Sequence, residues 1–256
     1  MEQVEHDPAI ILGISLNIKG KDGVLTAIDT ATKKEPVQVA TVNPEFILDA
    51  LNFPDFKSAL EEMPVCTIDG SGAYIALKVG QLVGHNRHET FEQYPGADLI
   101  QDLFSMYRDG SKRFYFVGST DEVLQKAAEK IRTIYPEIQI VGWNSAGKID
   151  VHNLYIPPEL IAEITKAKPD ILLIGFGAPK QELWMRAAKE VLNVPAMVGI
   201  GGALRFYGSK PRAPRLMRTL KLEWLYRTFK EKGHAHRAWR AVVVFPIRVI
   251  GWLLAD

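Results

Sequence analysis

With 256 residues, 47% of them hydrophobic and 24% charged, the chain has the composition of a soluble globular protein with ample core, in one large or two small domains. Its single cysteine, Cys66, excludes an internal disulfide and fits a reducing compartment. The net charge of +1 hides an asymmetry. From Lys210 through Arg248, 11 lysines and arginines stand against Glu223 and Glu231, giving +9 there and −8 elsewhere, which points the C-terminal end toward an anionic partner: membrane lipid, a phosphate-bearing ligand or nucleic acid.

The opening MEQVEHDPAI carries acids and no basic region before its apolar run, so no signal peptide is expected. Strand-like runs follow at AIILGISL and VQVATV, then a helical NPEFILDALN, then the strand-like PVCTI. From there helices and strands alternate: GADLIQDLFSMYRDG, RFYFVG, TDEVLQKAAEKIRTIY, IQIVG, PPELIAEITKAK, DILLIGFG, PKQELWMRAAKEVL and PAMVGIGG. Thr120 ahead of Asp121 and Glu122 is a good helix N-cap, with carboxylates where the helix dipole favours them. Continuous apolar strands alternating with amphipathic helices predict an α/β fold, a mainly parallel sheet with helices on both faces, in a Rossmann-like core over residues 1–208. After about residue 208 the pattern becomes basic helices without strands, a separate appendage over 209–256. In HRAWRAVVVFPIRVIGWLLAD the uncharged runs fall short of the ~20 residues needed to cross a bilayer, and Pro246 predicts a kink. Two readings stay open, a helix lying in a membrane interface and a helix docked on the protein's own core. The charge asymmetry, Trp239 and Trp252 favour the first.

Several motif matches fail. GWNSAGKI has phosphate-loop spacing, but Ile149 stands where a hydroxyl should hold magnesium. GIGGAL and GFGAPK each lack the third glycine of a dinucleotide fingerprint, which disfavours an oxidoreductase. His85 and His88 of HNRHE have no further Cys or His grouping and read as a solvated loop rather than a metal site. No Asp-x-Asp triplet exists to hold a divalent metal, so neither metal nor cofactor is expected, and a leaving diphosphate would be met by arginines, lysines or helix N-termini.

Two stretches carry chemistry. In TIDGSG, Asp69 ends an apolar strand beside two glycines, either as a turn cap or as an acid at the carboxyl edge of the sheet, where open α/β sheets bind ligands. In GFGAPKQELWM a strand runs through glycines into Pro179, which starts a helix whose first turn holds Lys180, Gln181 and Glu182, read as ligand contacts.

These stretches, with VATVNPEFI and VGIGGALRFYGSKPRAPRLMRTLKLEWLYR, resemble the WecG/TagA/CpsF glycosyltransferases (glycosyltransferase family 26) over roughly residues 8 to 240. The resemblance implies an inverting enzyme that moves a sugar from a UDP-sugar to a polyprenyl-diphosphate-linked acceptor in cell-surface polysaccharide or wall-polymer synthesis. It further implies a peripheral protein on the cytoplasmic face of the membrane, binding anionic lipid and no nucleic acid, with a homo-oligomer left open. Carried over, Asp69 matches the family's general base, Thr41 and Asn43 a polar pair beside it, and Gln181 a ligand-contacting glutamine. Arg227 and Arg237 match appendage arginines that hold the diphosphate. The chain departs from the family at Gln93, where arginine is usual, at Arg205, where aspartate is usual, and at His234, where another arginine is usual; Arg87, His236 or Arg240 are the nearby cations that take over these charges. Arg205 is either a surface arginine or a partner for a uronate donor. A single displacement needs only one base, for which Asp69 suffices. The competing readings are a non-catalytic relative that binds nucleotide sugar or membrane as an assembly factor, and a Rossmann-type oxidoreductase.

Overall fold

The computed structural model describes residues 8–86, 91–209, 212, 214, 217 and 234–255. The first apolar run folds back on itself instead of forming one strand. Leu12 and Gly13 both take positive φ, the two-residue turn that suits a hairpin's twist, so β1 (Ala9–Ile11) pairs antiparallel with β2 (Ile14–Leu16). Asn86 seals this hairpin to the rest by exchanging side-chain hydrogen bonds with the backbone of Ile10.

The remaining strands are β3 (Val37–Val42), β4 (Val65–Ile68), β5 (Arg113–Val117), β6 (Gln139–Asn144), β7 (Ile171–Ile174) and β8 (Ala196–Gly199). They form one six-stranded sheet in the order β4-β3-β8-β7-β5-β6, every neighbouring pair parallel. The α/β class with helices on both faces is thus the observed one. Alternate residues of each strand feed opposite cores, Phe114 and Phe116 one side, Tyr115 and Val117 the other. The first core is closed by α1 (Lys21–Thr30), α5 (Gly96–Met106) and α6 (Asp121–Ile134). The second is closed by α2 (Pro44–Ala50), α3 (Pro54–Glu61), α4 (Ser71–Leu82), α7 (Pro158–Ala167) and α8 (Lys180–Lys189). Thr120 caps α6 as expected, its hydroxyl accepting from the Val123 N–H. Helices α1, α3 and α4 lie outside the expected set; α1 and α4 hold glycines and β-branched residues, and packing overrides their weak propensity.

Beyond the short α9 (Arg205–Gly208), the described tail is a single helical rod: α10 (His234–Trp239), a π-helical turn (Arg240–Val244) and α11 (Phe245–Ala255). The π turn lies immediately ahead of Pro246, where the ring removes a backbone donor, and the helix continues past it. His236–Ala255 is long and apolar enough, by length and composition, to cross a membrane, a property that the short uncharged runs had concealed. One side of the rod buries Phe245 and Val249 in the second core, and Trp252 lies against the His85 ring with centroids 4.6 Å apart. The other side leaves Trp239, Ile247, Ile250 and Leu254 exposed, Leu254 to 82%.

Candidate active site

Parallel strands bring all their carboxyl ends to one edge, and β3 and β4 are neighbours in register, Val42 opposite Ile68. The chain leaves β4 at Asp69, whose N–H donates to the Val42 carbonyl at 2.7 Å, so this half-buried acid stands beside the end of β3. Gly70 follows with φ +106°, a conformation L side chains rarely adopt, and its backbone lies against Pro44 and Asn43: a Cβ there would stand 3.4 Å from Pro44 Cδ. Asp69 and Asn43 are thereby adjacent. Asn43 is the N-cap of α2, its Oδ1 accepting from the Glu45 and Phe46 N–H groups, which leaves Nδ2 as its remaining donor.

Thr41 is buried and its hydroxyl donates to the Gly199 carbonyl at 2.9 Å, tying β3 to β8. Gln181 is also wholly buried. Its Oε1 accepts from Gly177 and Gly201, fastening the loops after β7 and β8, and its Nε2 donates to Glu182 Oε1 at 2.6 Å. Helix α8 begins one residue later than expected, with Pro179 as its cap and Lys180 exposed at its start. The polar run therefore splits: Lys180 meets solvent, while Gln181 and Glu182 turn inward and brace the rim from beneath. Burial pushes the Glu182 carboxyl up to about 8 and, with Glu182 adding to it, the Cys66 thiol up to about 12.

Gln93 sits at the outer side of the same strand end, bridged to Ile68, with its buried Oε1 lacking a hydrogen-bond partner among the described residues. Arg205 is exposed on α9 and makes no ion pair among the described residues. Arg227 and Arg87 lie outside the described residues, as does the side chain of His234.

The tail's arginines reach this edge through α2. Arg237 donates from Nε and a terminal nitrogen to the Glu45 carboxylate, and Arg240 donates to Asp49 Oδ1 at 2.5 Å. Gly72, just past Asp69, lets α4 pack close on α2, since a Cβ there would lie 2.9 Å from Pro44 Cγ, and the rod's Ala241 carbonyl oxygen would stand at ordinary contact distance, 3.6 Å. The structure thus gathers Asp69, Asn43 and Arg237 around the start of α2, with Arg240 held at the helix's far end by Asp49, Thr41 and Gln181 as ties, and Arg205 on another element. Sequence reasoning missed Glu45 and Asp49, and read the buried brace Glu182 as a ligand contact. For the first two no local signal exists, since their partners lie 191 and 192 residues away. Arg212 adds a further tie, its guanidinium donating to Asp98 in the first turn of α5 at 2.7 Å.

A family model described as "Glycosyl transferase WecG/TagA/CpsF family" matches residues 9–256. Among curated proteins, the chain is similar to the N-acetylglucosaminyldiphosphoundecaprenol N-acetyl-beta-D-mannosaminyltransferase of Staphylococcus aureus (strain MW2), 27% identical over 213 residues that cover 82% of this chain and 78% of that one. A protein of the same name from Staphylococcus aureus (strain NCTC 8325 / PS 47) is 28% identical over 191 residues, 74% of this chain and 70% of the relative.

Proposed function

Because the chain belongs to the WecG/TagA/CpsF glycosyl transferase family, we propose that it moves a sugar from a UDP-sugar to a polyprenyl-diphosphate-linked acceptor, with inversion at the sugar carbon. Asp69 accepts the proton of the acceptor hydroxyl as its oxygen bonds to the anomeric carbon. The bond to UDP breaks on the opposite face, and Arg237 and Arg240 neutralise the charge that collects on the diphosphate. The observation that carries this reading is the shared anchoring of base and cations: α2 starts at Asn43, beside Asp69, and its own carboxylates hold both arginines. The names of the relatives make N-acetylmannosamine the first donor to test and an N-acetylglucosaminyl-diphosphate lipid the first acceptor, ahead of glucosyl and uronic acid donors.

Residues 1–208 act as the transferase core and 209–256 as an appendage that roofs the site and meets the inner face of the cell membrane from the cytoplasm. Support comes from exposed apolar side chains on two packed helices, Ile75, Val79 and Leu82 of α4 and Ile247, Ile250 and Leu254 of the tail, beside its cations. The test is UDP release on mixing protein, UDP-N-acetylmannosamine and the lipid-linked acceptor, followed by glucosyl and glucuronosyl donors. Release that requires both substrates is the expected result, and its absence with every donor would overturn the reading in favour of a non-catalytic binder, the alternative that glutamine at position 93 beside the acid favours.

A further inference from the structure

Beyond Asn43 the rim of the sheet carries two exposed cations, Arg205 and Lys180, that make no ion pair among the described residues. In strand order the ends run β4, β3, β8, β7, and with them come Asp69, Asn43, the loop leading to Arg205 and the loop leading to Lys180. At about 4.8 Å per strand, the ends of β8 and β7 lie roughly 10 and 14 Å from that of β4. Gln181 fastens these two loops together, its Oε1 accepting from the Gly177 and Gly201 N–H groups. Arg205 folds back on its own loop. Its guanidinium lies over Gly202, where a Cβ would stand 2.9–3.1 Å from three of its atoms. Helix α9 is itself fixed in place, because Gly208 packs so near the first turn of α6 that a Cβ there would stand 2.5 Å from the Val123 carbonyl oxygen. Lys180 occupies the first turn of α8, where the helix dipole disfavours a cation, so its charge does nothing for the helix.

A single displacement fixes where each charge must stand, with base and leaving group on opposite sides of the anomeric carbon. With Asp69 at the end of β4, the diphosphate departs along the rim, away from β4 and toward β8 and β7. We infer that Arg205 holds the donor's diphosphate as the nucleotide sugar binds, with Lys180 on the adjoining loop adding a second positive charge. This rests on the function proposed above and names a core residue for the charge that the donor carries from the start. Arg237 and Arg240 arrive paired with Glu45 and Asp49, and in that reaction they answer the charge that collects as the bond breaks. The charge present beforehand calls for cations without a carboxylate, and Arg205 is one. A guanidinium meets phosphate oxygens through paired N–H groups, whereas an ammonium serves as a point charge.

The test is binding in the absence of acceptor. The full chain as wild type, Arg205→Ala and Arg205→Lys is titrated calorimetrically with UDP, uridine and UDP-glucuronate. Arg205 is exposed, so both variants should keep the wild-type melting temperature. The expected result is a Kd for UDP raised about tenfold in Arg205→Ala, the loss of one charge-assisted contact, and largely restored in Arg205→Lys. Uridine, which has no phosphate, should bind all three proteins equally. Added salt should weaken UDP binding more steeply in wild type than in Arg205→Ala. Equal Kd values for UDP in wild type and Arg205→Ala would overturn the inference, as would a matching loss on uridine. A loss confined to UDP-glucuronate would overturn it too, making Arg205 the partner of a sugar carboxylate. Wild-type protein that binds no UDP would remove the nucleotide-sugar reading and the inference with it. UDP binding that depends on Arg205, in a protein that transfers nothing, would support the inference and leave the transferase reading to fail alone.

Discussion

Arg237 forks across the carboxylate of Glu45, with Nε at 3.0 and 2.8 Å from the two oxygens and a terminal nitrogen 2.5 Å from Oε2. The guanidinium is about half exposed, so the pair adds at most about 1 kcal/mol to global stability, and its main effect is to set where the tail lies. Glu45→Gln should leave the melting temperature nearly unchanged while amide hydrogen exchange across His234–Trp239 accelerates. Equal exchange in variant and wild type would show that the Glu45 pair does not place the tail, leaving Arg240–Asp49 and the burial of Phe245 and Val249 to hold the rod.

Asp69→Asn keeps size and hydrogen-bonding reach but cannot take a proton. We expect UDP to bind the variant as it binds wild type and transfer to slow by about 10²–10⁴-fold, the usual cost of a general base. Single-turnover rates with titrated UDP separate the two effects, and turnover close to wild type would remove Asp69 from the reaction.

Asn43 caps α2 and stands beside Asp69, and substitution can separate the cap from the proposed role in transfer. Asn43→Ala removes the cap of α2 and should cost about 1 kcal/mol in urea unfolding. Asn43→Asp restores an oxygen to accept from Glu45 and Phe46, so it should recover that stability while losing the amide donor beside Asp69. Recovery of both stability and transfer by the aspartate would limit Asn43 to a helix cap.

Burial holds Glu182 protonated up to about pH 8, whereas its carboxyl ordinarily titrates at 4.5. Between those values the native state keeps a proton that the unfolded chain has lost, so this residue's contribution to stability falls as pH rises and levels off above 8. The slope is at most about 1.4 kcal/mol per pH unit. Glu182→Gln retains an oxygen to accept from Gln181 and removes the titration. The melting temperature of the variant relative to wild type should therefore climb from pH 5 to pH 8, and a constant difference across that range would show that the carboxyl titrates normally.

The sheet was legible because buried parallel strands are continuous apolar runs: VQVATV, RFYFVG and DILLIGFG mark themselves without reference to any other part of the chain. Helix α4 was not, since SGAYIALKVGQL carries two glycines and its amphipathic face includes Ile75, Val79 and Leu82, which stay exposed. The position of Asp69 at a strand end could be read locally, because an apolar run followed by Asp-Gly is a local pattern. The inward turn of Gln181 could not, since its partners Gly177 and Gly201 sit on two loops that only the sheet order brings together. Arg237 and Arg240 stood out as cations, but their carboxylate partners are set by packing across the whole chain.

That distance has a bearing on how the protein is made. Glu45 and Asp49 leave the ribosome some 190 residues before the arginines that clasp them. The sheet closes only once β8 joins β3 to β7, and Gly199 at its end precedes Arg237 by 38 residues, so at about 5–20 residues per second the finished sheet has about 2–8 s with its edge still open. Assembly of the proposed roof is then a late event in biosynthesis, which would keep a half-made chain from consuming nucleotide sugar before its apolar tail is available to find a bilayer.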